Sequence, residues 1–159
     1  MKTITPEELK KLYEKDFVLW VEKNLELLRE KAYELMDWEN LLEEIEHMAK
    51  SELEACISQL ARILEHLYKY EYLKPLTYGK EKGGYSWIKS IENAREKIYR
   101  KFDLYPSLKG KLPEYMPVAW KWARRELLRW LEKNRISHEL PHECPYTFKQ
   151  AMEYAPWKK

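Results

Sequence analysis

The sequence predicts an all-α fold, and three observations carry that prediction. Glycine, which tight β-turns require, occurs only four times, and Gly79, Gly83 and Gly84 fall in one short stretch. Glu, Lys, Leu and Ala, all strong helix formers, make up much of the rest. From Trp38 to Lys74 no Gly or Pro interrupts an arc of apolar residues at helical spacing. The expected architecture is a bundle of four main helices, about 6–32, 38–72, 87–102 and 117–134, with a short C-terminal helix at about 148–155. With 159 residues and 45% apolar content, the chain suits a single domain, 1–159, around one core.

Each element has its own local reason. Thr5-Pro6-Glu7-Glu8 opens the first helix: Thr5 caps, Pro6 suits the first helical position, and Glu8 completes a capping box. Leu9, Leu12, Tyr13, Phe17, Trp20, Leu27 and Leu28 then recur to about Ala32. Asp37 caps the second helix, with Met36 and Leu41 placed as a hydrophobic staple. That helix is expected to run about 34 residues, or about 50 Å. Residues 73–85 hold one Pro and three Gly and read as a loop. Ser86 is the expected cap of the third helix, whose stripe is Trp87, Ile88, Ile91, Ile98, Tyr99 and Phe102. Pro113 and Pro117 interrupt the chain before the fourth helix. Thr147 and Gln150 form the capping box of the last.

Charge is unevenly spread beneath a net +2. Residues 1–79 carry eleven Lys/Arg against seventeen Asp/Glu, whereas residues 80–135 carry fifteen against seven. The split is expected to bring acidic helices against basic ones within the fold, with a nucleic-acid surface as the competing explanation. Two cysteines without a Cys-x-x-Cys pair, and no leader-like start, point to a reducing cytoplasm and away from a disulfide or zinc scaffold. No apolar run reaches the roughly 20 residues that span a bilayer. Lys outnumbers Arg 21 to 8 and only two Gln occur, a skew found in proteins from hot environments.

Several segments resemble a known family. Tyr13-Glu-Lys-Asp16-Phe17-Val-Leu-Trp20 and Asp37-Trp-Glu-Asn-Leu-Leu-Glu-Glu44-Ile45-Glu46 resemble the opening of the bacterial family called domain of unknown function 29. Ser86-Trp87 with Ile91 and Arg95, Pro106-Ser107-Leu108, and Cys144-Pro145-Tyr146 are similar to its later landmarks. One departure is Ala49, where relatives often carry Gly. The resemblance implies a small helical, prokaryotic protein without an assigned activity, and it transfers no catalytic residue.

A helical wheel places a few polar residues where apolar ones belong. Glu52 falls inside the arc of the long helix, with Glu46 and His66 at its margins. Arg95 sits in the middle of the third helix's stripe, Asn24 lies beside Trp20 and Leu28, and Asp16 borders Leu9 and Leu27. Because an unpaired buried charge is costly, these groups are expected to form a buried polar network, with Arg95 bonded to Glu52 or Glu46.

Three function classes compete. The leading expectation is a cytoplasmic helical binding module for a protein partner or a second copy of itself, not an enzyme, with no cofactor and no membrane role. Lys121, Arg125 and Arg129 run along one face of the fourth helix around Trp122, and this is the expected partner-binding ridge. The same ridge is the candidate for weak nucleic-acid binding, with affinity expected to be small at physiological salt. The third class is a divalent-metal phosphohydrolase using the acidic patch of Glu43, Glu44 and Glu46. Glu44-x-x-His47 has the spacing that di-iron bundles use, but those need a second such motif on another helix. Glu139-x-x-His142 contains Pro141, so Glu43, Glu44 and His47 are not expected to hold a metal. His138, His142, Cys56, Cys144 and Ser86 read as ordinary loop, core and capping residues.

Overall fold

The computed structural model describes residues 4–79 and 82–158. All regular structure among the described residues is helical: α1 Pro6–Lys15, α2 Phe17–Arg29, α3 Trp38–Tyr68, α4 Tyr85–Leu104, α5 Ser107–Lys111, α6 Met116–Lys133 and α7 Phe148–Glu153. Short 3₁₀ turns and one π turn join them. The chain falls into two compact units, Met1–Lys50 and Ser51–Lys159, so α3 contributes its first turns to one and the remainder to the other.

In the first unit the expected helix 6–32 is two helices. Asp16 adopts φ −151° and ψ 87°, outside the helical region, and its carboxylate accepts the Leu19 N–H at 3.1 Å. An Asp side chain competes for backbone donors in this way, which favours a cap over a helix interior. Asp16 is therefore an exposed cap and no part of a buried network. Leu9, Trp20, Leu27 and Met36 form a small core, with Tyr13 and Phe17 packed on Trp20 at ring separations of 4.9 and 5.5 Å. Asp37 opens α3, its carboxylate accepting the Asn40 N–H at 3.4 Å.

In the second unit, α3 buries Cys56, Leu60, Ile63, Leu64 and Leu67 against Ile91 and Ile98 of α4 and Leu127 of α6. After Tyr68 the helix continues as a π turn, Lys69–Leu73, in place of the α turns expected to residue 72. Tyr68, Lys69 and Leu73 are all buried there. The third helix starts one residue before the expected cap, at Tyr85, and Gly84 occupies the cap position with φ 61°. Only glycine fits Gly84: a Cβ would stand 2.7 Å from the Tyr70 ring, and its φ is left-handed. Thr147 and Gln150 make both bonds of the expected capping box on α7.

Candidate partner-binding site

The apolar arc of α3 is buried only from Cys56 onward. Upstream, Leu42 and Ile45 are each 58% exposed and Met48 67%, although all three recur at core spacing. Opposite them within the first unit, α2 exposes Phe17, Val21, Leu25 and Leu28. Trp20 and Leu27 already satisfy the inward face of α2, so these residues form a second apolar face. Val21, Leu25 and Leu28 from α2 and Leu41, Ile45 and Met48 from α3 enclose a cleft of about 480 Å³, with buried Trp20, Asn24 and Met36 also lining it.

A polar ring fixes the walls of this cleft. The Trp20 indole N–H donates to Asp37 Oδ2 at 3.0 Å, and the Asp37 N–H donates to Asn24 Oδ1 at 3.2 Å. Asn24 in turn donates to the Trp20 carbonyl at 2.9 Å. Asn24 and Asp37 are almost fully buried, and each is hydrogen-bonded, as burial of polar groups demands. The Tyr13 hydroxyl donates to Glu44, a cleft residue. That bond to a carboxylate pushes the Tyr13 pKa up to about 12. Lys10 pairs with Glu39 at 2.8 Å, and the partnership raises the Lys10 pKa. Acidic residues dominate the rest of the segment. Residues 17–48 hold nine Asp/Glu against three Lys/Arg.

The expected polar network does not assemble as one group. Asn24 joins the ring just described, while Glu46 is exposed. Arg95 does not pair with Glu52. Its Nε donates to the Ala151 carbonyl at 2.9 Å, and its Nη2 to the carbonyls of Tyr154 at 2.7 Å and Gln150 at 3.4 Å. The Ala151 and Tyr154 carbonyls lie in and just past the last turn of α7, where a cation is favoured, while the Gln150 carbonyl also accepts the Tyr154 N–H at 2.8 Å. Glu52 instead accepts from Lys101 Nζ at 2.5 Å. His66 Nδ1 lies 2.8 Å from the Arg62 carbonyl, and burial lowers its pKa.

A different polar cluster forms around the π turn. Lys69 bonds Glu65 at 2.7 Å and lies over the rings of Trp87 and Trp130. Glu71 accepts the hydroxyls of Tyr146, at 3.2 Å, and Tyr154. His138 Nε2 is 2.6 Å from the Tyr68 hydroxyl. No wheel of a straight helix reveals this grouping, because the π turn rotates Lys69 and Glu71 away from their α positions.

On α6, Trp122 is partly buried and packs against the core, so it is not the exposed aromatic centre of a ridge. Arg129 is tied to Glu126 at 2.7 Å. Lys121 and Arg125 instead border a pocket of about 340 Å³ with Arg124 and His142. Arg124 escaped notice because nothing in its spacing sets it apart from Arg125. Glu43 and His47 are exposed and Glu44 is engaged by Tyr13. Among the described residues no three His, Cys, Asp or Glu side chains are grouped as a metal site requires. No helix among them is long and apolar enough to cross a membrane.

Ile45 and Met48 lie on the arc that periodicity assigns to the core, whereas Val21 and Leu25 fall outside the apolar repeat read for the first helix. The available signal was surplus: α2 carries more apolar residues than one buried face needs.

No curated protein and no solved structure matches the chain. The family profile described as Domain of unknown function DUF29 matches residues 12–156, which takes in the Tyr13–Trp20 and Asp37–Glu46 segments around the cleft and the Cys144-Pro145-Tyr146 close. The chain therefore belongs to the DUF29 family.

Proposed function

We propose that this protein is a helical binding module whose first unit seats an amphipathic helix of a protein partner between α2 and α3. The observation that carries this is the cleft itself, an apolar channel whose walls face solvent on both helices. Exposed contiguous apolar surface on this scale marks an interaction site more often than it marks nothing. A groove between two helices matches the apolar face of a third, read as anchors at i, i+3/i+4 and i+7.

Charge selects the occupant. A second copy docking through the same face would set one surplus of carboxylates against another. A helix whose apolar stripe is flanked by Lys and Arg gains from that surplus. Two free thiols, Cys56 and Cys144, suit a reducing compartment, and we place the protein in the cytoplasm.

The test is fluorescence anisotropy of a labelled 18-residue Leu/Lys amphipathic peptide titrated with the full chain. We expect micromolar binding, with a Leu/Glu peptide of identical apolar stripe weaker by at least about tenfold. Val21→Lys with Ile45→Lys, both at exposed positions, abolishes binding without loss of helicity. Equal binding of the two peptides overturns the proposal. So does a concentration-dependent dimer in sedimentation that Ile45→Lys dissolves, since the occupant would then be a second copy.

A further inference from the structure

The second unit carries a pocket of different chemistry. Lys121, Arg124 and Arg125 line it from α6, at the i, i+3 and i+4 positions of one helix face, and His142 lines it from the loop that follows Leu140. Pro117 and Leu128 supply apolar wall. Among the described residues, no carboxylate lies within 4.0 Å of Lys121, Arg124 or Arg125, whereas Arg129, Arg100 and Lys101 each have one. Cations gathered without counter-charges repel one another, and an anion relieves that repulsion.

Arg124 is already positioned. Its Nε donates to the Pro141 carbonyl at 3.3 Å, and the same carbonyl accepts the Trp120 indole N–H at 3.1 Å. Its two terminal nitrogens make no bond within the described protein. A guanidinium held by one edge loses less freedom when the other edge binds. Pro117 stands in the first turn of α6, where the helix dipole adds partial positive charge.

We propose that this pocket binds the phosphate monoester of a small organic molecule. Lys121, Arg124 and Arg125 hold the phosphoryl oxygens, and the organic body lies on Pro117 and Leu128. A phosphate monoester carries close to two negative charges at neutral pH and three acceptor oxygens, which answers three cationic donors better than a carboxylate does. The pocket's size is at the small end of ligand sites, which run from about 300 to 1,000 Å³. A polynucleotide is the poorer fit. It needs a cationic track and exposed aromatics for stacking, but Arg129 is paired and Trp122 packs on the core.

Isothermal titration of the full chain with phenyl phosphate tests this. We expect one site with submillimolar affinity, and binding at least about tenfold weaker for both inorganic phosphate and benzoate. Lys121→Gln with Arg125→Gln removes the site and does not lower the melting temperature, since among the described residues neither side chain is hydrogen-bonded or ion-paired. Absence of binding overturns the proposal, as does equal affinity for phenyl phosphate and inorganic phosphate. Unchanged affinity in the double variant also overturns it. A single-stranded 20-mer that binds more tightly than phenyl phosphate, and is lost in the same double variant, replaces it with a nucleic-acid surface.

Discussion

The indole of Trp20 is bonded to the carboxylate of Asp37, so the residue that opens α3 also anchors the first turn of α2. One Asp37 oxygen accepts the Asn40 backbone N–H, and the other accepts both the Trp20 indole and the Asn40 side-chain amide. The bond joins the two helices that wall the cleft, and it does so from below an apolar floor.

Asp37→Ala is therefore expected to be costly. It removes a helix cap, worth about 0.5–2 kcal/mol. It also leaves a buried indole N–H without an acceptor, at about 1–3 kcal/mol. A combined loss of about 2–4 kcal/mol is expected in urea unfolding, with an altered Trp20 environment in the native state. A loss below about 0.5 kcal/mol would show that the ring of bonds does not stabilise the unit.

Arg95→Met is expected to loosen the last turns of the chain. It removes donors to three carbonyls and a cation–π contact 5.8 Å from the Trp157 ring. A loss of about 2–4 kcal/mol is expected, together with faster amide exchange at Ala151 and Tyr154. A double-mutant cycle with Glu52→Gln should give a coupling below about 0.5 kcal/mol, because Glu52 serves Lys101 instead. A large coupling would restore the ion pair that the wheel suggests.

Alkaline pH is expected to weaken the fold through its tyrosines. The bond to Glu44 pushes Tyr13 up to about 12, and the bond to Glu71 pushes Tyr154 up to about 12. Burial, followed by the charge of Glu71, raises Tyr146. Each folded pKa lies above the unfolded value near 10, so the unfolded chain loses its protons first. Their contribution is fully present below about pH 10, and that of Tyr13 and Tyr154 is lost as pH rises through about 12. Urea midpoints at pH 9 and 11.5 check this, with tyrosinate absorbance followed in parallel. The fall should be smaller in Tyr154→Phe, and an unchanged midpoint in the wild type would refute it.

Much of the fold was legible because periodicity and capping are local. Thr5, Asp37 and Thr147 cap as read, and the arc from Cys56 to Leu67 is core. Asp16 was legible in principle, since an Asp three residues before Leu19 is a capping pattern, but the apolar repeat running past it outweighed that signal. Periodicity identifies which face of a helix is apolar and is silent on what covers it. Ile45 and Leu64 therefore looked alike, although one is 58% exposed and the other fully buried. Arg95 shows the same limit for polar groups. Its place among Ile91 and Ile98 was readable, whereas its partners are backbone carbonyls more than fifty residues away that no side-chain pattern announces.

The π turn at Lys69–Leu73 makes the chain's length at that point a matter of phase. Tyr68 and Leu73 both face the core although they are five residues apart. In an uninterrupted α-helix a separation of five residues turns the side chain by about 140° relative to the first. Removing one residue between them would let the segment relax into ordinary helix with Leu73 back in phase, four residues on. The same deletion would carry Glu71 out of reach of the Tyr146 and Tyr154 hydroxyls that it now receives. Homologous chains that differ here by a single residue should therefore also differ in what they place opposite those two tyrosines, while their cores remain superimposable.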